Sequence, residues 1–347
     1  GTFIIDGGTI QAVGESAAVD VPGNARLINA SGMTVMPALA DMHVHMVGGW
    51  DGVSVDILGY QRYLNALLYA GVTTVLDMGN VMPFTIQMRQ EINAGRLVGP
   101  RILTSGPLID GPEPFWPDIS FAVTTDEQIP KFVEKLKNAN VDFVKAYAGL
   151  TEGHIRELVK ESSQVGIPVF IHRPRSIPYE NLMDTGVEAI AHTPIDISDE
   201  AITKMKDNGV ACLTTLAVME VRGLQRFQDK SFLNHALIQD TTPPWFIDEI
   251  MALEPKEERP TERLQSVFVN VKKLHDRGVL LVAGTDAPYP GVFQGEGIHR
   301  ELELLVEAGL TPIEANTAAT KNAAVLMKAD DEWGTLAAGK RADLIVI

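Results

Sequence analysis

The sequence predicts an α/β chain closed into a parallel barrel, and three observations lead there. Eight apolar, strand-like segments alternate with amphipathic stretches from residue 37 to about residue 327. No glycine-rich dinucleotide or phosphate-loop signature follows the first of them, which counts against an open, doubly wound sheet. Five of the eight segments end in histidine, lysine or aspartate. In a parallel barrel every strand's C-terminal end opens on one face, so these side chains are delivered to one place.

Residues 1–36 read as a small β unit. Phe3-Ile4-Ile5 and Thr9–Val13 flank Asp6-Gly7-Gly8, a hairpin turn signature. A further short strand is expected at Arg26–Asn29. Such a unit is too small to stand alone. Its expected partner is the C-terminal tail, Gly334-Thr335-Leu336 and Ala342–Ile347, with a turn at Gly339-Lys340. The expected organisation is therefore residues 1–36 with 328–347 as one small β domain, and 37–327 as the barrel. The chain stops in mid-strand, so residues are expected to be missing at one or both ends.

The barrel strands are expected at 35–45, 72–78, 100–105, 141–147, 167–172, 187–192, 209–214 and 279–286. Helices are expected between them, at Ile57–Ala70, Ile129–Asn138, His154–Gln164 and Ala201–Asn208 among others. One connection breaks the rhythm. An excursion over residues 216–260 follows the seventh strand, where long insertions sit at the rim, so it is either a lid over the mouth or a packing insert remote from it.

The first strand, Met36 to His45, ends in two histidines two positions apart. A strand has a side-chain period of two, so His43 and His45 share a face and can hold one cation. Later strands end in Lys145, His172, His192 and Asp286. His43, His45 and Asp286 suit Zn²⁺, Mn²⁺ or a similar ion. An unmodified ammonium has no lone pair and cannot ligate a metal.

Composition narrows the partners. The formal charge of −16 argues against a nucleic-acid backbone partner, which needs a basic surface. The single cysteine, Cys212, excludes an intramolecular disulfide and a cysteine-rich zinc site. No apolar run approaches the roughly 20 residues of a membrane span. The expected partner is a small-molecule substrate, and a homo-oligomer is compatible with the sequence. The expected location is the cytoplasm, although a start at Gly1 without methionine is also compatible with a removed signal peptide.

The stretches Asp41-Met42-His43-Val44-His45, Gly284-Thr285-Asp286 and Gly334 to Val346 resemble the amidohydrolase superfamily of metal-dependent hydrolases. Asp142-Phe143-Val144-Lys145-Ala146-Tyr147 and His299 to Pro312 narrow the resemblance to its imidazolonepropionase-like and prolidase-like members. It covers the chain except the 216–260 excursion. It implies a distorted (β/α)8 barrel, or TIM barrel, with a small β-sandwich formed by the terminal segments. It further implies a binuclear metal centre, with zinc or manganese as candidate ions. His172 and His192 would serve the second ion, and Lys145, carboxylated by CO₂, would bridge the two as a carbamate. The implied reaction is hydrolysis of a C–N bond by metal-activated hydroxide, in an amide, an N-acyl amino acid or dipeptide, or a urea or carbamate. Asp286 would take the water's proton and pass it to the leaving nitrogen. Alternatives on the same site are a deaminase or an ester or phosphotriester hydrolase, and, outside catalysis, a superfamily relative without activity.

Substrate contacts are open at this stage. Tyr147 shares the face of Lys145, where it either donates to a substrate carbonyl or covers the metal site. Phe115-Trp116, in a proline-rich loop, are candidates for an aromatic wall. Arg173 and Arg175, just past the fifth strand, are the candidate anchors for a substrate carboxylate. His299 is either a rim contact or part of a helix terminus. Asp41 is expected to orient a histidine rather than to ligate.

Overall fold

Two glycines with positive φ, Gly7 at 55° and Gly8 at 77°, turn β1 (Thr2–Asp6) back onto β2 (Thr9–Gly14). The computed structural model describes residues 1–49, 54, 56–223, 225–253 and 262–347. The hairpin docks on the tail through Ile10 N to Lys340 O and Gly339 N to Ile10 O, both 2.8 Å. β3 (Val35–Pro37) feeds directly into the barrel strands: β4 (Leu39–Val44), β5 (Val72–Asp77) and β6 (Arg101–Thr104). Then come β7 (Leu108–Asp110), β8 (Ser120–Ala122), β9 (Val144–Ala146), β10 (Val169–His172), β11 (Ala189–Ala191), β12 (Ala211–Leu213) and β13 (Leu281–Val282). The last strand, β14 (Leu344–Val346), pairs antiparallel with β3.

The fold is a TIM barrel with a break in its ladder. One parallel sheet runs β4-β5-β6 and another β13-β12-β11-β10-β9-β7-β8. Two seams join them. Met42 N donates to Ala283 O at 3.0 Å, and Asp142 N donates to Thr104 O at 2.9 Å. β7 and β8 lie in the proline-rich stretch expected to be loop. They sit at the mouth beside β9, where Ile109 pairs with Ala146.

The barrel interior is filled by alternating large and small side chains, among them Met42, Phe143 and Phe170 with Ala40, Ala189 and Ala211. The Phe143 and Phe170 rings stack 4.9 Å apart. Outside, helices cover the strands with their apolar stripes, as in Tyr60–Tyr69, Gln128–Asn138, Glu152–Gln164 and Asp199–Asp207.

Three expected strands differ, one of them Gly334-Thr335-Leu336, which forms none. Arg26–Asn29 forms no strand, and Leu27 and Ile28 are exposed. β14 pairs with β3, and residues 26–29 join neither strand. The eighth strand is a ladder only at Leu281–Val282, because His43 O accepts from both Thr285 N and Asp286 N and the pairing becomes irregular there.

The excursion opens with the helix Leu216–Arg222, packed on the helix Glu296–Glu307, and later forms the helix Pro244–Ala252. Residue 224 and residues 254–260 of it lie outside the described residues. Three polar contacts clamp it. Glu301 accepts from Ala217 N at 2.7 Å and from the Thr214 hydroxyl at 2.5 Å. Arg300 forks onto Glu220 at 2.6 and 3.1 Å, and buried Arg226 pairs with Glu296. Arg300 and Glu301 belong to the family-like helix motif, so that motif serves to hold the excursion in place.

Glu301 makes a stability prediction. Burial pushes its carboxyl up from 4.5 to about 7, against the bonds from Thr214 and Ala217. A raised carboxyl contributes stability that is present below pH 4.5 and lost as pH rises through about 7. Glu301→Gln removes this titration while keeping an acceptor for Ala217 N. Urea unfolding at pH 5 and pH 8 is expected to show the wild type losing up to about 3 kcal/mol relative to the variant. Parallel pH dependences would contradict it.

Candidate active site

The strand ends place the polar residues together. His43 is the next-to-last residue of β4 with His45 just beyond its end, Lys145 lies in β9, His172 ends β10, His192 follows β11, and Asp286 lies past β13. All six line one pocket at the barrel's C-terminal mouth. Gly284 makes the approach possible. A Cβ there would lie 2.7 Å from both His43 N and His43 Cβ, so only glycine lets the eighth strand close on the first.

His43 Nε2 and His45 Nε2 both lie 3.2 Å from Asp286 Oδ1. The His43 and His192 rings are 4.9 Å apart, as are those of His172 and His192. His192 Nδ1 is tied to Thr215 Oγ1 at 2.7 Å, which leaves the other ring nitrogen for the pocket. His192, Thr215 and Asp286 take positive φ of 69°, 50° and 66°. For residues other than glycine this costs about 1–3 kcal/mol each, and such strain collects at functional sites.

Asp41 is buried and accepts from Thr285 Oγ1 at 2.7 Å, Thr285 N at 3.0 Å and His43 N at 3.3 Å. It orients the backbone of His43 and pins the first strand to the eighth.

The electrostatics suit a cation. Desolvation lowers His43 to about 4 and His172 to about 3, and holds His192 well below its usual range. Burial acts to raise Asp286, but the charge of His43 and the hydrogen bonds from His43 and His45 outweigh it and keep it well below the usual carboxylate range. Burial acts to lower His45, but the hydrogen bond and the charge of Asp286 outweigh it and raise it; imidazoles gathered beside an ionised carboxylate are a donor set for a divalent metal. Desolvation lowers Lys145 to about 7. Its Nζ is buried with no hydrogen-bond partner, and so is His43 Nδ1. An orphaned amine facing three histidines is costly as it stands and fits a site completed by cations.

Tyr147 lines the same pocket. Its ring lies 4.7 Å from that of His172, and its hydroxyl accepts from Trp116 Nε1 at 3.0 Å. Burial pushes the phenol up to about 12. Trp116 also lines the pocket, whereas Phe115 is exposed. Asp110 braces this loop, accepting from Gly111, Phe115 and Gly149 backbone N–H groups.

Two expected substrate contacts are corrected. The Arg173 guanidinium lies 4.2 Å over the Tyr179 ring and donates to Ile177 O at 2.9 Å, away from the pocket lining. The chain turns immediately after His172, so strand alternation stops at the ligand-type residue. His299 Nε2 pairs with Ala70 O at 2.9 Å and does not line the pocket, which is its helix-packing alternative. Arg175 is exposed.

Sequence reasoning missed Asp77, Thr215, Arg222 and Tyr289. Asp77 is buried and accepts from Met46 N, Asn80 and Thr104 below His45. Arg222 and Tyr289 line the pocket. Asp77 closes β5 and carried the same strand-end signal as the histidines, whereas Thr215, Arg222 and Tyr289 lie past strand ends or in the excursion, where strand periodicity has no force.

Histidines, a lysine and an aspartate are gathered at the C-terminal mouth of a parallel barrel. Residues 34–347 match the amidohydrolase family, and the chain belongs to it. An enamidase from Eubacterium barkeri is 34% identical over 82 residues, 23% of this chain and 20% of that enzyme. An allantoinase from Enterococcus faecalis is 35% identical over 83 residues, 24% of this chain and 17% of that one. The matched stretch thus spans about a fifth of these relatives' length. In three dimensions, a candidate prolidase from Bifidobacterium longum superposes with a TM-score of 0.75 at 26% identity, over 98% of this chain and 81% of that one. Among the described residues no helix is long and apolar enough to cross a membrane.

Proposed function

We propose that the chain is a metal-dependent hydrolase of C–N bonds in amides, N-acyl amino acids or dipeptides, or ureas and carbamates. The observation that carries this reading is the meeting of two imidazole nitrogens on one oxygen of Asp286, each at 3.2 Å, in a pocket that also holds Lys145, His172 and His192.

His43, His45 and Asp286 would hold one divalent ion, and His172 and His192 a second, with Lys145 as a carbamate between them. Such ions supply Lewis acidity, acidifying water and polarising a carbonyl. The chain's own residues do the rest. Asp286 Oδ2, which neither imidazole engages, takes a proton from the attacking water and delivers it to the leaving nitrogen. Tyr147 already accepts from Trp116, so its own hydrogen is left to donate to the substrate carbonyl oxygen. Trp116, Pro117, Pro288 and Tyr289 wall the mouth and exclude water.

A panel on the zinc- or manganese-loaded protein tests the reaction class. Turnover of amides, N-acyl amino acids or ureas, above that of phosphotriesters and aminopyrimidines, is the expected result. Activity on phosphotriesters or aminopyrimidines with none on any amide or urea would sink the assignment.

A further inference from the structure

The outer ring nitrogens of the pocket histidines are held unequally. His43 Nδ1 is buried with no hydrogen-bond partner, and His45 Nδ1 lies 3.4 Å from Gly79 O. His192 Nδ1 meets a hydroxyl, Thr215 Oγ1, at 2.7 Å.

Thr215 reaches that place in a backbone conformation its side chain disfavours. It lies between β12 and the helix Leu216–Arg222, fully buried, with φ 50° and ψ 45°. Left-handed backbone is an outlier for a β-branched residue. Glycine would take it without strain, whereas threonine brings the hydroxyl that His192 meets.

The frame around Thr215 is fixed on both sides. Thr214 N donates to Val282 O at 3.0 Å, and Thr214 O accepts from both Thr193 N and Thr193 Oγ1 at 3.0 Å. The Thr214 hydroxyl donates to one oxygen of buried Glu301 at 2.5 Å, and Ala217 N donates to the other at 2.7 Å. The neighbours of Thr215 are thus tied to the adjoining strand ends and to the helix Glu296–Glu307. Thr193, the residue after His192, shares that tie.

A hydroxyl in a fixed frame can decide a tautomer. A neutral imidazole presents one ring lone pair, and the hydrogen bond at its other nitrogen sets which. The rings of His43 and His172, both in the pocket lining, each lie 4.9 Å from that of His192. With the hydrogen on Nδ1, accepted by Thr215 Oγ1, Nε2 keeps its lone pair for the pocket. With the hydrogen on Nε2 the pocket would receive a donor, which cannot bind a cation.

We propose that Thr215 is a positioning residue for the second ion: it holds the hydrogen on His192 Nδ1 and so keeps the Nε2 lone pair available at that ion's place. The proposal rests on the two-ion reading above for the ion, and on the chain's own contacts for the tautomer. It also joins occupancy of that place to the excursion, which begins one residue after Thr215 and on the same Glu301 clamp.

The test uses the full chain, first metal-free and then titrated with zinc. In protein carrying isotope-labelled histidine, long-range proton–nitrogen spectra report which ring nitrogen bears the hydrogen, with His192 assigned by its loss in His192→Gln. The wild type is expected to carry it on Nδ1. Thr215→Val, which keeps the branched shape and loses the hydroxyl, is expected to lose that preference. It should also weaken the second zinc by about 10- to 100-fold in calorimetric titration, with the first unchanged. Thr215→Ser, which keeps the hydroxyl, is expected to restore both. A hydrogen on Nε2 in the wild type overturns the proposal. So does a Thr215→Val protein whose tautomer and second zinc constant match the wild type. Equal weakening of both ions, or a loss that Thr215→Ser does not restore, shows a purely structural role and overturns it as well. Should Thr215→Val fail to fold, Thr215→Ala takes its place in the same two measurements. If the wild type binds fewer than two zinc ions, the two-ion reading fails on its own. The metal-free tautomer then decides whether Thr215 holds the ring: a preference that the variant abolishes supports it, and one that persists overturns it.

Discussion

Asp286→Asn is expected to lower kcat on any amide or N-acyl substrate by on the order of 10³-fold or more, with the fold retained. The carboxylate is proposed to have two tasks in this site. Oδ1 sits 3.2 Å from the Nε2 atoms of both His43 and His45, and Oδ2 lies 3.8 Å from Arg222 Nη2. Asparagine keeps the shape and one acceptor but cannot carry a proton. It also removes the negative charge that neutral histidines need beside them to hold a cation. Retained folding is expected because the seam between the first and eighth strands depends on Asp41 and Thr285, whose contacts the variant leaves in place. Circular dichroism checks the fold and steady-state kinetics the loss. Activity within tenfold of the wild type at saturating metal would remove Asp286 from the reaction.

Lys145→Ala is expected to cost on the order of 10²-fold or more in activity, and short carboxylic acids such as propionate should return part of it. The Lys145 side chain is 1% exposed, and its Nζ has no hydrogen-bond partner. A plain salt-bridging lysine would show a carboxylate in contact with it. A small carboxylate entering the space left by alanine supplies two oxygens where the carbamate would have stood. Loss of the bridge should also weaken metal binding and, by linkage, lower the thermal midpoint of the loaded protein. A variant that holds two ions per chain and turns over normally would show that Lys145 bridges nothing.

The cluster of polar residues proposed to hold metal was legible in the sequence, and much of the wall around it was not. His43, His45, Lys145, His172, His192 and Asp286 could be found because each ends an apolar run, and a parallel barrel sends all such ends to one mouth. Tyr147 could be found because it lies two residues beyond Lys145. Arg173 misled because alternation has no force past the last strand residue, where the chain turns and the guanidinium settles on Tyr179. Arg222 was invisible because its place depends on Glu301 and Arg300, some eighty residues away, holding its helix against the barrel. β7 and β8 escaped because three-residue strands between prolines carry too little pattern to read. Arg26–Asn29 was misread because local β character cannot say whether a free edge exists to pair with.

Metal content measured alongside activity tests the central claim most directly. Purified protein is assayed for bound zinc and manganese, stripped with a chelator, and reloaded with each ion in turn, with turnover and thermal midpoint followed throughout. The expected result is one or two ions per chain, loss of hydrolysis and a lower midpoint on stripping, and recovery of both on reloading. Full hydrolytic activity in rigorously metal-free protein would contradict it.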